Sequence, residues 1–527
     1  MARAFRNSIL SLVLIFLFAL PRAARSEEIT SKDQLNRRGI RIGYSQGSII
    51  DNLIKKELPH ASVIPYTDLF LGYQAVADGK LDAFVYDRRQ MEISIDNGQQ
   101  GVRLLDETLE EGLKIAVGIS AVSEIPDLED KVNDFIEDIR EDGTLDEMYK
   151  RWVMDENEQL PEIPLAEDPE YHLTVGTTGT VPPYSYYKDN ALNGFDIELA
   201  YRFAVWLGAD PEFDVYDYGS IIPAAAAGKI DCIMANLQVN DARRENMIFS
   251  DVLFEEREGI MVQDSSAAVS GGGDASGVAA SFEKTFIREG RWKMIAEGIG
   301  NTLIITLLSV FFGTGIGFLL FLLWRNGVSA VNSVMSGIKW VVQGMPTVVM
   351  LMVLFYIVFG DVDISGLVVA VIGFSLTFGF SVFGLLRIGV DAVGKDQFEA
   401  AYALGYSRMR AFFRVILPQA LPPVIPAYKG EIVGLLKATS IVGYIAVQDL
   451  TKMGDIIRSR TYEAFFPLIA VTVIYFLLEL LLGLFVDRIQ FSVDTRNRKP
   501  ESILSGVDTR GMVFSKDLSE DRPALNS

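Results

Sequence analysis

Few residues in this chain have the types and spacing that covalent or metal chemistry requires. The 527 residues include two histidines, His60 and His172, and one cysteine, Cys232. One cysteine cannot form an intrachain disulfide, and these side chains make no nucleophile–base or metal-ligand pattern in the sequence. The phosphate-binding pattern G-x4-G-K-[S/T] does not occur, so the chain cannot by itself hydrolyse ATP with such a phosphate-binding loop. We therefore predict that the protein is not an enzyme, holds no cofactor or metal, and uses both histidines structurally.

A short motif in the C-terminal half carries more information. Glu399-Ala400-Ala401 is followed by Gly405 and by Ile416-Leu417-Pro418, in a basic loop between long apolar segments. The small residues allow two helices to approach closely, and Pro418 is expected to close the segment because proline cannot continue a helix. The simplest alternative is an ordinary amphipathic helix between two membrane spans, where alanine, glycine and proline are all common.

Composition indicates a chain that is partly in water and partly in a membrane. Hydrophobic residues make up 49% of it and the mean hydropathy is +0.24, yet charged residues are crowded into the first half. The net charge of −21 argues against a nucleic-acid partner, because phosphate binding requires a basic surface. Five apolar segments are predicted to span a membrane, one of them weak because it contains Lys437: Thr302–Trp324, Trp340–Gly360, Gly366–Leu386, Ile432–Val447 and Leu468–Val486.

The charges of the loops predict the orientation. If the N-terminal region is exported, five spans place residues 325–339, 387–429 and the tail after residue 487 in the cytoplasm. These segments hold the basic residues Arg325, Lys339, Arg387, Lys395, Arg408, Arg410, Arg414 and the cluster Arg496–Lys499. Four spans would send the basic tail outside, so the positive-inside rule favours five.

The N-terminus is typical of a secretory signal. Arg3 and Arg6 precede the apolar run Ser8–Leu20, and Ala24-Arg25-Ser26 offers a cleavage site after Ser26. An uncleaved anchor is the alternative. At the other end, the tail from Pro500 has little apolar periodicity and is predicted to be disordered.

Strands and helices alternate between the signal and the membrane, which predicts two small α/β lobes. The expected strands are Ile40–Tyr44, Val63–Tyr66, Leu81–Tyr86, His172–Gly176, Phe213–Tyr216 and Ile230–Asn236, and the expected helices are Ser48–Leu58, Asp68–Asp78, Phe195–Leu207 and Ser220–Ala227. The two series share a phrase, Gly79–Phe84 and Gly228–Ile233, in which a helix ends at glycine and a buried strand follows. Chance similarity of two α/β turns is the alternative.

The segment Gln397–Lys437 resembles the permeases of ATP-binding-cassette importers for polar amino acids. The resemblance rests on the motif above, spaced E-A-A-x3-G-x10-I-x-P, and on Glu431 and Leu435-Leu436-Lys437-x-Thr439-Ser440. In that family the motif forms a short cytoplasmic helix that lies in a groove of the ATPase subunit. The resemblance implies that this loop contacts a separate ATPase subunit, of which the importer contains two copies. It also implies a membrane-embedded homodimer, or a heterodimer with a sister permease.

The region before the membrane spans is similar to the periplasmic amino-acid-binding proteins, the two-lobed flytrap family. From Leu173 the chain is similar to the beginning of that family, with Pro182-Pro183-Tyr184, Gly194-Phe195-Asp196-Ile197 and Phe249-Ser250-Asp251. Residues 40–153 are similar to its end, with Asp142-Gly143-Thr144-Leu145 and Trp152. The second half precedes the first, which implies a circularly permuted binding protein. The alternative is that each chain has two incomplete lobes, which are completed by segments of another protomer.

In the permuted arrangement one hinge crossing, around Gly112–Ile119, is expected to stay covalent. The other is expected to be cut, with its ends at Glu28–Asp33 and Gly259–Asp264. Exposed chain ends and linkers tolerate such rearrangements.

The resemblance also implies roles for individual residues. Arg243 is implied to clamp the α-carboxylate of an amino-acid ligand, and Asp87, on the other lobe, to take its α-ammonium. Arg243 could instead be a solvated charge, with Arg244 beside it, and Asp87 a helix cap. Ser48 with Asp51 forms a capping-box-like helix start whose N–H groups suit an anion. The remaining implied ligand positions are Tyr218, Asn236, Gln238, Ile49, Val181 and Thr178. Ile49 and Val181 replace the family's usual threonine and aromatic residue, and Thr178 stands at a position that is acidic in binders of basic amino acids.

The predicted fold class is a permuted two-lobed α/β binding-protein fold followed by an all-α membrane domain of about five helices. The expected segments are a signal peptide at 1–26, lobe 2 at 27–118, helices completing lobe 1 at 119–155, a linker at 156–170, lobe 1 at 171–264, a linker at 265–290, the permease domain at 291–490 and a cytoplasmic tail at 491–527.

These expectations make the chain a substrate-binding and membrane-spanning subunit of an importer in the inner membrane, with its binding domain outside the cytoplasm. A ligand-gated channel of the glutamate-receptor type is the alternative, although such channels place their spans between the lobes. A flytrap-derived enzyme with an anchor would need only one span. Gln343-Gly344-Met345-Pro346 and Gly384 depart from the permease pattern, which puts a substrate site within the membrane in question.

Overall fold

The computed structural model describes residues 28–46, 48–109, 112–155, 159–245, 247–264, 275–325, 327, 329–360, 362, 364–463 and 465–493. The predicted signal peptide, the tail beyond residue 493 and residues 265–274 lie outside this set. The chain forms two compact units. The first contains the residues up to Thr302 with Thr347–Ala370 and Ser440–Thr472, and the second contains Leu303–Pro346, Val371–Thr439 and the residues from Val473.

Lobe 2 of the first unit is a five-stranded sheet with three helices. Its elements are β1 (Arg41–Ser45), α1 (Ile50–Glu57), β2 (Ser62–Tyr66), α2 (Leu69–Ala77), β3 (Ala83–Asp87), α3 (Arg88–Asp96), β4 (Val102–Thr108) and β13 (Glu258–Gln263). The strand order is β2-β1-β3-β13-β4. Strand β1 pairs in parallel with β2 and β3, as the strand–helix alternation predicts, and β13 pairs antiparallel with β3 and β4.

Lobe 1 of the first unit has its own five-stranded sheet, ordered β10-β6-β11-β5-β12, and a small three-stranded sheet. Its elements are β5 (Leu113–Ile119), α4 (Leu128–Glu141), α5 (Thr144–Tyr149), β6 (Tyr171–Thr177), β7 (Thr180–Val181), β8 (Ser185–Lys188), β9 (Ala191–Asn193), α6 (Phe195–Leu207), β10 (Ala209–Val215), α7 (Ile221–Ala226), β11 (Cys232–Ile233), α8 (Asp241–Arg244) and β12 (Ile248–Glu256). Helix α6 has the predicted bounds, whereas the strand expected at Ile230–Asn236 is reduced to two residues.

The phrase shared by the two lobes has the same structural purpose in each. Gly79 and Gly228 have φ angles of +71° and +67°, the left-handed conformation that glycine supplies after a helix. Three residues further on, Asp82 accepts the backbone N–H of Arg41 in β1 at 2.8 Å, and Asp231 accepts that of Thr174 in β6 at 2.9 Å. The repeat therefore fixes how each lobe starts its central strand.

Residues before and after the 156–170 linker share one hydrophobic core in lobe 1. Val132 and Phe135 of α4 and the fully buried Trp152 belong to the same cluster as Leu173 and Phe203. The helices at 128–154 thus complete the apolar face that β6 and α6 present.

Among the described residues, the chain passes from one lobe to the other at two places, and neither crossing is cut. One lies between β4 and β5, and the other is Arg257, between β12 and β13. The expectation of a cut at Gly259–Asp264 is wrong, because Glu258–Gln263 forms a strand of the lobe 2 sheet. Likewise β5, expected within 27–118, belongs to the lobe 1 sheet. An apolar strand pattern specifies burial but not the sheet that the strand joins.

The other regular elements of the described residues are helices. The helices are α9 (Ala275–Phe282), α10 (Trp292–Arg325), α11 (Ser329–Gly344), α12 (Thr347–Val353), α13 (Gly366–Asp391), α14 (Lys395–Ala403), α15 (Arg408–Ala411), α16 (Leu417–Ala438), α17 (Leu450–Thr461) and α18 (Phe466–Val493). Among the described residues, three helices are long and apolar enough to cross a membrane: Trp292–Arg325, Gly366–Asp391 and Phe466–Phe491. Two bent pairs, Asn332–Gly344 with Thr347–Val358 and Arg408–Ile445 with Leu450–Thr461, would raise the count to five.

The span expected at Trp340–Gly360 is not one continuous helix. It is interrupted after Gly344, and the helix that ends there begins at Ser329, inside the expected loop at 325–339. Pro346 explains the break, because proline removes a backbone donor and restricts the residue before it.

Close glycine contacts and charge pairs hold the second unit together. Cβ atoms added at Gly313 and Gly317 of α10 would lie 2.9 and 2.6 Å from backbone oxygens of α13, so only glycine permits this approach. Lys437, which made the fourth span weak, pairs with Glu479 of α18 at 2.8 Å, and Lys429 pairs with Asp487 at the same distance. Pairing offsets the cost of charges on apolar helices.

Candidate functional site

Arg243 is the buried cation of its segment in lobe 1. Asn240 caps α8, because its side-chain oxygen accepts the Arg243 N–H at 2.6 Å. The Arg243 guanidinium donates to the Gln238 carbonyl at 2.6 Å and to the Tyr218 hydroxyl at 3.3 Å, and it lies 5.6 Å from the centre of the Tyr218 ring. Arg243 is 6% exposed whereas Arg244 is exposed. These contacts orient a guanidinium whose planar fork suits a carboxylate.

Asp87 lies at the end of β3 in lobe 2 and begins α3. Its carboxylate accepts the Gln90 N–H at 2.6 Å, so the helix-cap alternative is observed. Burial raises the pKa of Asp87 to about 6, although the Gln90 N–H and the neighbouring Glu256 act in the opposite direction. A carboxylate has about four lone-pair positions, so the cap leaves Asp87 capacity for a second donor.

Two further buried carboxyls lie beside Asp87 at the crossing between the lobes. Glu256 ends β12 next to Asp87, and Glu258 faces Asp87 across the β3–β13 pairing. Burial raises the pKa of both glutamates well above their usual range, and Asp87 adds to each shift. Sequence reasoning missed this pair, although Glu256-Arg257-Glu258 interrupts an apolar strand pattern. Three neighbouring buried carboxyls must be neutralised by protons or by a cation.

Asn236 connects the Arg243 segment to these carboxyls. Its amide side chain donates to Glu256 Oε2 at 3.2 Å, and its backbone N–H donates to Asp196 Oδ2 at 2.8 Å, in a left-handed backbone conformation with φ of +48°. Burial raises the pKa of Asp196 to about 7. The structure thus joins Arg243 to Gln238 by one hydrogen bond, and it joins Asn236 to Asp87 through Glu256.

Thr178 and Val181 follow β6 in lobe 1 and are 1% and 5% exposed. Among the described residues, neither the Thr178 hydroxyl nor the Gln238 side-chain oxygen has a hydrogen-bond partner. Buried polar atoms without partners are uncommon in folded proteins, so these two atoms are suited to receive a ligand.

Ser48 does not cap a helix as predicted. Helix α1 starts at Ile50 with Ile49 as its cap residue, and the Ser48 hydroxyl instead donates to the Ser45 carbonyl at 2.6 Å. Asp51 pairs with Lys55 at 2.9 Å. Short polar side chains can bond to nearby backbone groups in a turn instead of capping a helix, and the Ser48 hydroxyl does so. Ile49 packs against the core of lobe 2.

Helix α17, which we call the bridging helix, contacts lobe 1 through a buried cation. Lys452, with a side chain that is 5% exposed, lies 2.8 Å from Asp217 and donates to the Tyr216 carbonyl at 3.1 Å. Asp217 follows the carboxyl end of β10. The backbone at Gly443 lies against it, since a Cβ there would be 2.7 Å from the Asp217 carboxylate.

The bridging helix contacts lobe 2 through a second buried cation. Arg458, also 5% exposed, lies 2.9 Å from Asp68 and pairs with Asp455 of its own helix. Asp68 follows the carboxyl end of β2, and Tyr462, just beyond the helix, stacks edge-on against Phe70 at 5.5 Å. In open α/β sheets ligands bind outside the carboxyl ends of strands, which is the side where Asp87 and Thr178 also lie. Sequence reasoning missed these contacts, although Lys452, Asp455 and Arg458 recur every three residues.

The motif at Glu399 forms a short exposed helix in the second unit. Glu399 and Ala400 of α14 are exposed, whereas Ala401 is 2% exposed. Gly405 ends this helix with φ of +80°, which explains the glycine. The apolar residues Tyr402, Leu404, Met409 and Phe413 are between 42% and 78% exposed. Such a patch is typical of a surface that another protein covers.

Pro418 does not close this segment as expected. It lies in the first turn of α16, directly after the helical turn Phe412–Ile416, and the helical chain continues through Leu417. Proline is tolerated in a first turn, where its missing N–H has no partner to lose. Ile416 is fully buried, and Phe412 beside it lies 4.2 Å from the Arg325 guanidinium.

The match to a known family lies in the C-terminal part of the chain. Residues 309–499 match the family described as "Binding-protein-dependent transport system inner membrane component". A putative glutamine transport system permease protein GlnP of Rickettsia bellii is 32% identical over 199 residues, which cover 37% of this chain and 90% of that relative. The L-cystine transport system permease protein TcyB of Bacillus subtilis is 30% identical over 210 residues, 40% of this chain and 90% of that relative. A crystal structure of an amino acid ABC transporter with histidines is 30% identical, with a TM-score of 0.35, over 38% of this chain and 93% of that chain.

The raised pKa values predict how stability depends on pH. The carboxyls of Asp87 and Asp196 titrate at about 6 and about 7 in the folded chain, against 3.8 for the free group. The folded state therefore binds more protons, and this stabilising contribution is complete below about pH 4 and lost as the pH rises to about 7. We expect Asp196→Asn, which keeps an acceptor for the Asn236 N–H, to flatten the melting temperature of the full chain between pH 4.5 and 7.5. Exposed Asp146→Asn serves as control, and identical profiles for both variants would contradict the assignment.

Proposed function

Because the chain belongs to the family of binding-protein-dependent transport system inner membrane components, we propose that it is the substrate-binding and membrane-spanning subunit of an ATP-driven importer of a polar amino acid. The observation that carries the proposal is that one chain joins this permease to a two-lobed α/β domain whose two lobes both contact helix α17. The names of the relatives, a glutamine and an L-cystine permease, support an amino acid as the substrate class.

The two lobes are proposed to enclose the ligand. Arg243 of lobe 1 takes the α-carboxylate and Asp87 of lobe 2 takes the α-ammonium, while Thr178 and Gln238 offer further polar atoms. Buried carboxyls at the lobe crossing favour a positively charged group near Asp87. Because the two charges lie on different lobes, a zwitterion stabilises the closed arrangement over the open one.

The domain is proposed to be a permuted binding protein. The two covalent crossings and the single core shared by residues 117–153 and 173–253 support an arrangement completed within one chain. The N-terminal 26 residues are proposed as a signal that exports this domain, so that the lobes lie outside and the tail lies in the cytoplasm.

Energy is proposed to come from two copies of a separate ATPase subunit. The exposed apolar patch around Tyr402 and Leu404, next to Glu399, is the surface proposed to receive it. One permease encloses half of a translocation path, so a second copy or a sister permease completes it. A ligand-gated channel is disfavoured, because the relatives are transport permeases and the membrane helices follow both lobes.

The first test concerns the ligand. We expect Arg243→Ala and Asp87→Ala each to cost about 2–5 kcal/mol of binding, roughly 30-fold to several-thousand-fold in affinity, because each leaves one ligand charge unmatched. Calorimetry on the purified full chain with a panel of polar amino acids measures this, with exposed Arg244→Ala as the matched control. Affinity unchanged by both alanine variants would place the pocket elsewhere.

The same titration has a pH signature. Protonated Asp87 cannot hold an ammonium group, and its pKa in the free protein is about 6. Affinity should therefore fall roughly tenfold between pH 7 and pH 5, and Asp87→Asn should remove most of that dependence. A wild-type affinity that does not change across this range would exclude Asp87 as the ammonium partner.

A second test concerns the ATPase surface. Glu399→Lys combined with Gly405→Trp should abolish ATP-driven uptake by the assembled complex while ligand affinity stays at the wild-type value, because the changes alter only the exposed loop and its left-handed glycine. Lys395→Gln, an exposed change on the same helix, is the control. Normal uptake by the double variant would overturn the role of the loop.

A third test concerns the bridging helix. Lys452→Glu should repel Asp217 and reduce ligand-stimulated ATP hydrolysis by about tenfold, and adding Asp217→Lys should restore much of it, since the swap recreates the ion pair. Exposed Lys55→Glu is the control for net charge. If Lys452→Glu alone leaves ligand-stimulated ATP hydrolysis unchanged, the contact between Lys452 and Asp217 does not transmit ligand binding from the lobes to the ATPase.

A further inference from the structure

A cavity of about 430 Å³ lies within the second unit, among the helices α10, α11 and α13. Trp324 lies next to the end of α10, Phe383 and Arg387 lie in the last three turns of α13, and α11 supplies the rest of the wall. The volume is in the range of small-molecule sites. We call this space the helix-end cavity. None of the residues proposed to hold the amino acid or to receive the ATPase lines it.

The charged side chains of the wall are both cations, Lys339 of α11 and Arg387 of α13. Among the described residues, Lys339 has no ion-pair partner and no carboxylate lines the cavity. Arg387 pairs with Asp391, but the two charged atoms are 3.7 Å apart and the side chains are 52% and 60% exposed. An exposed pair at that distance contributes little. The wall therefore favours an anion.

Aromatic rings hold both cations in place without neutralising them. The Arg387 guanidinium lies 4.8 Å from the ring centre of Trp324, and the Lys339 ammonium lies 6.0 Å from that of Phe383. A guanidinium fork binds two oxygens of a phosphate at once, and an ammonium adds a point charge. A phosphate group, which offers oxygens to both side chains, therefore suits this wall.

An amide oxygen in the wall requires a hydrogen-bond donor. Asn332 Oδ1 is buried and has no hydrogen-bond partner among the described residues. The neighbouring Ser336 hydroxyl does not supply one, because it donates to the Asn332 backbone carbonyl at 2.8 Å. Buried acceptors without partners are uncommon in folded proteins. A hydroxyl on the ligand would satisfy Asn332, which favours a glycerol headgroup over a choline headgroup, since choline has no hydrogen-bond donor.

The surroundings of the cavity are those of a membrane surface. Helices α10 and α13, whose ends form part of the wall, are both apolar enough to cross a membrane. On α11, Val334, Ile338 and Val341 recur at intervals of four and three residues, so they share one face, and they are 62%, 50% and 48% exposed. Trp340 of the same helix is 78% exposed. A helix with an exposed apolar stripe and a tryptophan is typical of the headgroup level of a bilayer, where lipid phosphates are abundant.

We propose that the helix-end cavity binds the headgroup of an anionic phospholipid, with Arg387 and Lys339 on its phosphate and Asn332 accepting a headgroup hydroxyl. The bound lipid would join α11 to the ends of two membrane helices, so it would stabilise the second unit independently of the amino acid. The leaflet, but not the binding, rests on the proposed orientation. In that orientation these helix ends face the cytoplasm, where anionic lipids give the membrane surface its negative potential.

The test titrates the full chain in neutral detergent with phosphatidylglycerol, with phosphatidylcholine of the same acyl chains, and with inorganic phosphate. Native mass spectrometry counts bound molecules, and the rise in melting temperature with concentration gives the affinity. We expect phosphatidylglycerol to bind more tightly than either other probe. Arg387→Gln and Lys339→Gln should each weaken its binding by about tenfold or more, since each removes a charged contact to the phosphate. Asn332→Leu should reduce the preference for phosphatidylglycerol over phosphatidylcholine.

The matched control is Lys395→Gln, which removes an exposed cation that is predicted to face the same side of the membrane but does not line the cavity. Arg387 is 52% exposed, so its variant tests the site even if a change at the half-buried Lys339 disturbs the fold. Weaker binding of phosphatidylglycerol in the Arg387 and Lys339 variants, with Lys395→Gln unchanged, supports the site.

Four outcomes would overturn the proposal. The first is wild-type affinity for phosphatidylglycerol in both cation variants. The second is equal weakening by Lys395→Gln, which would reduce the effect to diffuse attraction by basic residues. The third is binding of phosphatidylcholine or inorganic phosphate as tight as that of phosphatidylglycerol. The fourth is displacement of phosphatidylglycerol by a polar amino acid, which would assign the cavity to the transported solute.

Discussion

Two buried ion pairs on one helix constrain the two-lobed domain of this protein. Lys452 pairs with Asp217 of lobe 1 and Arg458 with Asp68 of lobe 2, from a helix only 12 residues long. Both cations are 5% exposed, whereas Asp217 is 37% and Asp68 is 15% exposed, so breaking either pair leaves a cation that water screens poorly. A separation of the lobes with the bridging helix held in place would break one of these pairs, so the arrangement of the lobes and the position of the helix depend on each other.

The hinge between the lobes has a related constraint. Asp87, Glu256 and Glu258 come from both sides of the crossing, and burial keeps their pKa values high. Neighbouring carboxyls cannot all ionise at low cost, so a cation placed there gains from each of them. A ligand ammonium group near Asp87 would thus favour the ionised form of that carboxylate, at the crossing between the lobes.

Sequence patterns predict local structure, but they do not predict strand pairing or ion pairs between residues that are distant in the sequence. The bounds of helix α6 and the glycines that end a helix in each lobe followed from periodicity and from left-handed backbone geometry. The resemblance pointed to Arg243 and Asp87, which the structure buries. The sequence places β13 in the wrong sheet, predicts a helix cap at Ser48 that the structure does not have, and does not predict the contacts of Glu256, Lys452 and Arg458. The strand and the charged residues depend on partners that are distant in the sequence, and Ser48 depends on which of two hydrogen bonds it forms. A short stretch of sequence does not reveal either.

We propose that one chain both captures the amino acid and forms part of its path across the membrane. Proteoliposomes containing only this chain and its ATPase subunit, with no soluble binding protein, test this proposal. We expect ATP-dependent uptake of a labelled amino acid, saturating at the concentration at which the chain itself binds it. Uptake that appears only after a separate binding protein is added would overturn the proposal, because the lobes of this chain would then not be the source of the transported ligand.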